Sequence, residues 1–384
     1  MLSSSPLLKT LVTVSAVLVG LVVAVVLVAT GNTLVLLLAI AALLLGAAVA
    51  TLGVAQVARK LAQLTVVLFV VTIFTFLLVR LLPGEPEDLL VPLSTSGEDE
   101  TARRVVQERK DAIREDLGLN DSLPSQYVSW VSDFATGDLG NEYTVSSTRP
   151  VEDKVSRAVP ASLQLILYSQ LIALLIAIPL GVLTAYRQNG LFDRIANASA
   201  FGMLSLPNFA LALLLAYWIG VRSSLPVNPQ GYAEFGLDTM GDHFRQMVLP
   251  AVSLAVGQIA VYMRLLRSDM IQTLQEDFIL MAKSKGVSSS RVLWRHALRP
   301  SSLTLLTVAG LNVGALIGGA VVIEVIFGIP GMGSLIAESI LRRQYVVLQS
   351  CVAIVAIAFV LINAVLDIVY SILDPRIRNV RAAS

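Results

Sequence analysis

The sequence predicts an all-α, polytopic membrane protein with eight spans, and three observations carry that prediction. First, 55% of its 384 residues are apolar and 14% are charged, with a mean hydropathy of +0.77, far from the composition of a soluble domain. Second, eight apolar runs reach the roughly 20 residues needed to cross about 30 Å of hydrocarbon. They are residues 11–29, 33–55, 61–82, 160–186, 195–221, 247–266, 301–323 and 350–373. Third, the basic residues sort to one side. Placing Arg59 and Lys60 in the cytoplasm places Arg187, Arg194, Arg264, Arg267, Lys283, Lys285, Arg291, Arg295, Arg299, Arg376, Arg378 and Arg381 there too, as the positive-inside rule requires. Both termini are then cytoplasmic. The formal net charge of +1 decides nothing here, because distribution matters more than sum. Cys351 stands alone inside an apolar run, so it reads as a packing residue and forms no internal disulfide.

Taken in order, the first two runs form an N-terminal transmembrane hairpin, residues 1–57. The first run has no convincing small-residue cleavage site and a second follows within a few residues, which favours a retained hairpin over a secretory signal. Its Leu, Val, Ala and Gly content carries no chemistry, and packing or assembly is its default role. Residues 58–384 make up the core. After the span at 61–82, residues 83–159 fall outside the membrane and include Glu85, Glu87, Asp88, Glu98, Asp99 and Glu100. Within them, residues 101–117 have an amphipathic helical pattern through Ala102, Val105, Val106, Ile113 and Leu117. A second helix follows Pro124, where Tyr127, Trp130, Val131 and Phe134 fall at i, i+3, i+4 and i+7 before Gly137. Two compatible readings stand for this helix: an interfacial helix with an aromatic anchor, and a docking platform for a soluble partner, through Tyr127, Trp130 and Phe134.

Several of the remaining spans lack ionisable residues at their centres, and Arg80, Arg264, Glu324 and Asp367 sit near span ends. Proton-coupled carriers need such groups near midplane, so a self-powered secondary carrier is disfavoured. Asn208 beside Pro207, Asn312, Gly314, Gly318, Gly319 and Asn363 are instead small or neutral. They suit either close helix packing or a passage that hydrogen-bonds a peptide-like solute without binding it as an ion.

The sequence contains no G-x-x-x-x-G-K-[ST] loop, so nucleotide energy must come from another polypeptide. His243 and His296 are expected on opposite sides of the membrane, each solvated, and no His, Cys or carboxylate spacing suggests a metal site. No nucleophile, base and orienter stand together either, and the chain reads as no enzyme in its own right.

The loop within residues 269–300 is more elaborate than a connection requires. From Ile271, the positions Leu274, Phe278 and Met281 recur at helical spacing and predict one apolar face. Lys283 and Lys285 suit a helix C-terminus, Gly286 suits a left-handed stop, and residues 288–290 offer N-caps for a second helical piece reaching Arg299. The pattern is a helix, a glycine corner and a helix.

From about Val57 to Arg378 the chain resembles the B-type transmembrane permease subunit of dipeptide and oligopeptide ABC importers. The resemblance rests on Leu81-Leu82-Pro83-Gly84-Glu85-Pro86, Asp116-Leu117-Gly118-Leu119, Gly137-Asp138-Leu139-Gly140, and Asp277-Phe278 through Ala282, Lys283, Lys285 and Gly286. It continues in Gly328-Ile329-Pro330-Gly331-Met332-Gly333 and Leu373-Asp374-Pro375-Arg376-Ile377-Arg378. Leu280, Met281, Pro300 and the Arg343-Gln344-Tyr345-Val346 stretch depart from the family pattern.

The resemblance implies a six-span type I importer core, to which the N-terminal hairpin is additional, in a bacterial cytoplasmic membrane. It makes the loop around Gly286 a coupling helix seated in a groove of a cytoplasmic ATPase. Phe278 and Met281 would fill the groove beside Asp277 and Ala282, with Lys283, Lys285 and Arg291 at its rim. The implied partners are a homologous C-type permease, two ATPase domains, an extracytoplasmic peptide-binding protein, the peptide and the lipid bilayer, with no nucleic acid. No cofactor is expected on this chain, and ATP and Mg would sit on the ATPase subunits. Related machines import nickel chelates, opines or glutathione. Outside that class, a stand-alone channel or carrier and a membrane scaffold are the alternatives.

Overall fold

In a computed structural model of the chain, the described residues are 54–80, 104, 107–108, 110–111, 114–115, 118–143, 148–222, 230–236 and 238–373. Residues 1–53 of the expected N-terminal hairpin, the motif at residues 81–86, Asp116 with Leu117, and residues 374–378 lie outside them. So do the apolar positions expected to line a helix over residues 101–117, although Arg104, Gln107, Glu108, Lys110, Asp111, Arg114 and Glu115 are helical.

The elements run α1 (Val54–Arg80), α2 (Leu123–Thr136), β1 (Asn141–Tyr143), β2 (Thr148–Pro150), α3 (Glu152–Tyr186), α4 (Leu191–Ser205) and α5 (Asn208–Leu215). They continue with α6 (Met240–Thr273), α7 (Asp277–Ser284), α8 (Ser289–Phe327), α9 (Met332–Leu341) and α10 (Tyr345–Leu373). Four described helices are long and apolar enough to cross a membrane: Glu152–Tyr186, Met240–Thr273, Ser289–Phe327 and Tyr345–Ala364. The run expected as one span at 195–221 is instead a bent pair, α4 with Asn208–Val221, turning by 101°. Pro207 explains the break, because its ring disfavours helical backbone at the preceding residue, and Leu206 is extended with ψ 127°. α1 carries a described apolar stretch, Ala62–Leu77. Large apolar side chains such as Leu175, Leu213, Trp218, Leu311 and Val325 are exposed, as the lipid-facing sides of spans require.

The chain divides into two compact units. The one containing Ser162–Ile329 has a core built from Ala173, Ala177 and Val182 of α3, Tyr262, Leu266 and Met270 of α6, and Leu305 and Ala309 of α8. Small residues let these helices approach closely. At Gly181 a Cβ would stand 3.0 Å from the Leu266 side chain, so α3 crosses α6 where only glycine fits without displacement.

The same unit buries His243 completely, against the expectation that it is solvated. Its Nδ1 lies 2.7 Å from the Ala233 carbonyl, which can only accept, so Nδ1 donates and Nε2 accepts from the Tyr168 hydroxyl at 3.1 Å. Tyr168, Tyr232, Phe235 and Phe244 surround the ring. A histidine can be buried here because both nitrogens are satisfied and its neighbours are aromatic. The Tyr232 hydroxyl donates to Gln164 Oε1 at 2.8 Å, and burial, with Glu234 nearby, pushes its pKa up to about 12. It therefore remains a donor throughout the physiological range. His243→Leu keeps the volume and removes both bonds. It should lower stability by about 2–6 kcal/mol, since each of the two groups left unpaired costs roughly 1–3 kcal/mol, as measured by thermal unfolding in detergent.

The second unit, Leu61–Ala161 with Pro330–Val360, packs Val151, just before α3, and Val155 and Ala158 of α3 with Met332 and Leu335 of α9 and Val347 and Cys351 of α10. Its two-stranded antiparallel hairpin pairs Glu142 with Arg149. Gln344 Nε2 donates to the Tyr143 carbonyl at 2.8 Å and Ser350 Oγ to that of Leu139 at 2.7 Å, which fixes the hairpin against α10 and the turn before it.

Candidate functional site

The loop following α6 has the predicted corner, with a different phase. α6 ends at Thr273, residues 274–276 form a turn, and Glu276 adopts ψ 148° before α7 begins at Asp277. That extended residue resets the helical register, so the single stripe expected through Leu274, Phe278 and Met281 does not form. Ile271 and Leu274 pack on the core, whereas Phe278 is 45% exposed and Met281 58%. Between them Ile279 is 0% exposed and joins the cluster of Met270, Val292, Leu293 and Ala297. One side of α7 is thus anchored, and the opposite side presents Phe278, Leu280 and Met281 to the exterior.

Gly286 ends α7 with φ +76°. Its N–H bonds the Lys283 carbonyl at 3.0 Å, and the Val287 N–H bonds that of Ala282 at 3.2 Å, the paired bonds of a Schellman cap. Val287 then packs on the core. Asp277, Lys283, Lys285 and Arg291 are exposed around this corner, and Ala282 is half-buried.

The second piece is not a separate short helix ending at Arg299. It begins at Ser289, passes through a π-helical turn at Val292–Ala297, and continues without interruption to Phe327. The wide turn immediately precedes Pro300, whose ring and missing N–H disturb the regular α pattern toward the carbonyl four residues back. His296, expected to be solvated, is half-buried within that turn.

Behind the loop, α6 meets α4 through an ion pair. Arg267 Nε and a terminal guanidinium nitrogen reach the two oxygens of Asp193 at 2.6 and 2.7 Å. The Asn189 N–H and Asn197 Nδ2 add bonds of 2.8 and 2.7 Å to the same carboxylate, which is buried. Farther along, Asn312 Nδ2 donates to Gln258 Oε1 at 2.9 Å, and Gln170 Nε2 reaches the Tyr262 hydroxyl and the Ala309 carbonyl, each at 3.1 Å. Asn208 faces α6 at Gly257, where a Cβ would lie 3.5 Å from its Oδ1. Two of the expected passage residues, Asn208 and Asn312, therefore meet neighbouring positions of α6. Gly314 is buried and Gly318 exposed on α8, while Asn363 is half-buried on α10.

Residues 177–379 match the binding-protein-dependent transport system inner membrane component family, and residues 54–150 match the N-terminal region of such membrane components. The chain belongs to this family. Relatives of the permease include a probable peptide ABC transporter permease of Sinorhizobium fredii, 35% identical over 83% of this chain and 98% of that protein. A di/tripeptide transport system permease of Pseudomonas aeruginosa is 35% identical over 84% and 98%. An oligopeptide transport system permease of Bacillus subtilis is 34% identical over 81% and 95%. The protein is thus an integral inner-membrane permease of the ABC transporter type.

In this permease the aromatic residues of α2 are turned toward α1. Tyr127 bonds Thr72 at 2.9 Å and stacks edge-on with Phe69 and Phe76, Trp130 lies against Phe76, and Phe134 against Trp130. Leu123 and Val128 are large apolar residues exposed on the helix. Sequence reasoning did not find the Asp193–Arg267 pair or the anchoring role of Ile279. The pair has no local signal because its partners lie 74 positions apart, and Ile279 escapes because the extended Glu276 shifts the register of α7.

Proposed function

We propose that the chain is the transmembrane subunit of an ATP-driven importer that passes di- and oligopeptides from an extracytoplasmic binding protein to the cytoplasm. It has eight spans and cytoplasmic termini, comprising the hairpin of residues 1–57 and the core of residues 58–384. It pairs with a homologous C-type permease, and two ATPase domains seat α7 and the corner at Gly286. Hydrolysis takes place on those subunits, with ATP and Mg, and this chain supplies path and lever.

The observation that carries this reading is the build of α7: anchored by Ile279 on one side and presenting Phe278, Leu280 and Met281 on the other. A helix made that way transmits force to the bundle while filling an apolar groove on a partner, and Lys283, Lys285 and Arg291 suit an acidic rim. The names of the relatives support peptide as the solute. In this reading Asn208 and Asn312, which meet neighbouring positions of α6, line the passage with Gly314, Gly318 and Asn363. Docking of the binding protein involves the outer segment at residues 83–159. There the rings of Tyr127, Trp130 and Phe134 hold α2 in place, and its exposed side makes the contact.

The test is reconstitution of the co-purified complex in liposomes with labelled dipeptide and tripeptide. Uptake should require ATP and the binding protein. Uptake by this chain alone would sink the ATP-driven reading, and import of nickel chelates, opines or glutathione in place of peptide would reassign the solute.

A further inference from the structure

The carboxylate of Asp193 accepts four hydrogen bonds, and nothing in its local sequence requires that. It lies in the first turn of α4, where an acidic residue already finds favourable backbone N–H groups. A helix start of that kind needs no arginine. Arg267 is nevertheless brought across from α6 and engages both oxygens side by side, at 2.6 and 2.7 Å, in the planar fork arrangement that fixes direction as well as distance. Asn197, one turn along α4, bonds the same carboxylate at 2.7 Å, and the Asn189 N–H, in the left-handed turn before the helix, bonds it at 2.8 Å. A second tie joins the same two helices, since the Arg264 guanidinium lies 4.3 Å from the centre of the Phe201 ring.

We propose that Asp193 and Arg267 are positioning residues of the transport cycle, clamping α4 to α6 so that displacement of α7 reaches the bent pair α4–α5. Arg267 stands ten residues before Asp277 on a helix that ends at Thr273, separated from α7 by one short turn. Whatever moves α7 moves the end of α6, and the clamp makes α4 follow. At the other end of α4 the chain breaks at Leu206–Pro207, so α5, which begins at Asn208 beside Gly257, can turn relative to α4. A buried ion pair is a poor source of stability, because desolvation offsets its attraction, yet it resists sliding in a way an apolar contact does not. Holding two helices in register is the work such a pair does well.

The proposal rests on the importer reading and is tested in the assembled complex with binding protein, in liposomes, as peptide imported per ATP hydrolysed. Arg267→Lys, Arg267→Met and Asp193→Asn are compared. Complexes should assemble and hydrolyse ATP, while import per ATP falls by about tenfold for Arg267→Met and Asp193→Asn, a typical size for coupling between sites. Arg267→Lys, which keeps the charge and loses the fork, should fall between them and the unchanged complex. If assembled variants import as much per ATP as the unchanged complex, the clamp does not transmit. If none of the three assembles, the pair is structural and the proposal is equally overturned. Should the unchanged complex import a different solute, the peptide reading fails alone, and the same ratio measured with that solute still decides the clamp.

Discussion

Gly286→Pro is expected to abolish ATP-coupled uptake while leaving the chain inserted in the membrane. Proline holds φ near −65°, and the corner needs +76°. The substitution also removes the N–H that bonds the Lys283 carbonyl at 3.0 Å. Together these cost about 3 kcal/mol or more, concentrated at the one point that fixes the orientation of α7. Space plays no part, since nothing lies within 4 Å of a Cβ built there. Gly286→Ala therefore isolates the conformational cost, about 1–2 kcal/mol for a left-handed residue, and should retain reduced uptake. The measurement is transport in liposomes beside co-purification of the ATPase subunits. Full uptake by the proline variant would remove the corner from the mechanism.

The second large effect separates the two sides of α7. Ile279→Ala deletes a fully buried side chain and should destabilise the chain by about 2–5 kcal/mol, loosening the helix from its core. Phe278→Ala with Met281→Ala should leave the thermal stability of the isolated chain within about 0.5 kcal/mol of the original, because both side chains are exposed. Seated in an ATPase groove, however, each would be worth about 1–2 kcal/mol, so the double variant should bind the ATPase subunits far more weakly. Unfolding in detergent and quantitative co-purification read the two effects separately. If the exposed pair governed stability and Ile279 governed ATPase binding, the assignment of faces would be reversed.

How much of the fold and of the loop is legible in the sequence depends on whether the signal is local. Gly286 can be read because a glycine directly after Lys283 and Lys285 is the usual end of a helix, and its Schellman bonds involve residues within five positions. The long helices can be read from apolar length alone. The face of α7 cannot, because one extended residue, Glu276, shifts its register, and no periodicity count detects a phase change of that kind. His243 escapes for a different reason: its burial depends on Tyr168 and Ala233, one of them 75 positions away. The Asp193–Arg267 pair spans 74 positions and is equally invisible. The bend at Pro207 has a local signal, but hydropathy counts residues without regard to direction and so joins two helices that the structure turns apart.

The helix from Ser289 to Phe327 runs 39 residues, roughly 58 Å at 1.5 Å per residue, with no break between the loop and its far end. A rod of that kind conveys torque. A partner that twisted the Ser289 end by a few degrees would turn the whole helix, with Asn312 on one side and Gly314 and Gly318 on the other, even if the axis hardly moved. The π-turn at Val292–Ala297 sets the angular offset between the Ser289 end and the rest of the helix. Changing the number of residues in that turn would rotate everything beyond it by about 100° per residue while preserving every residue there.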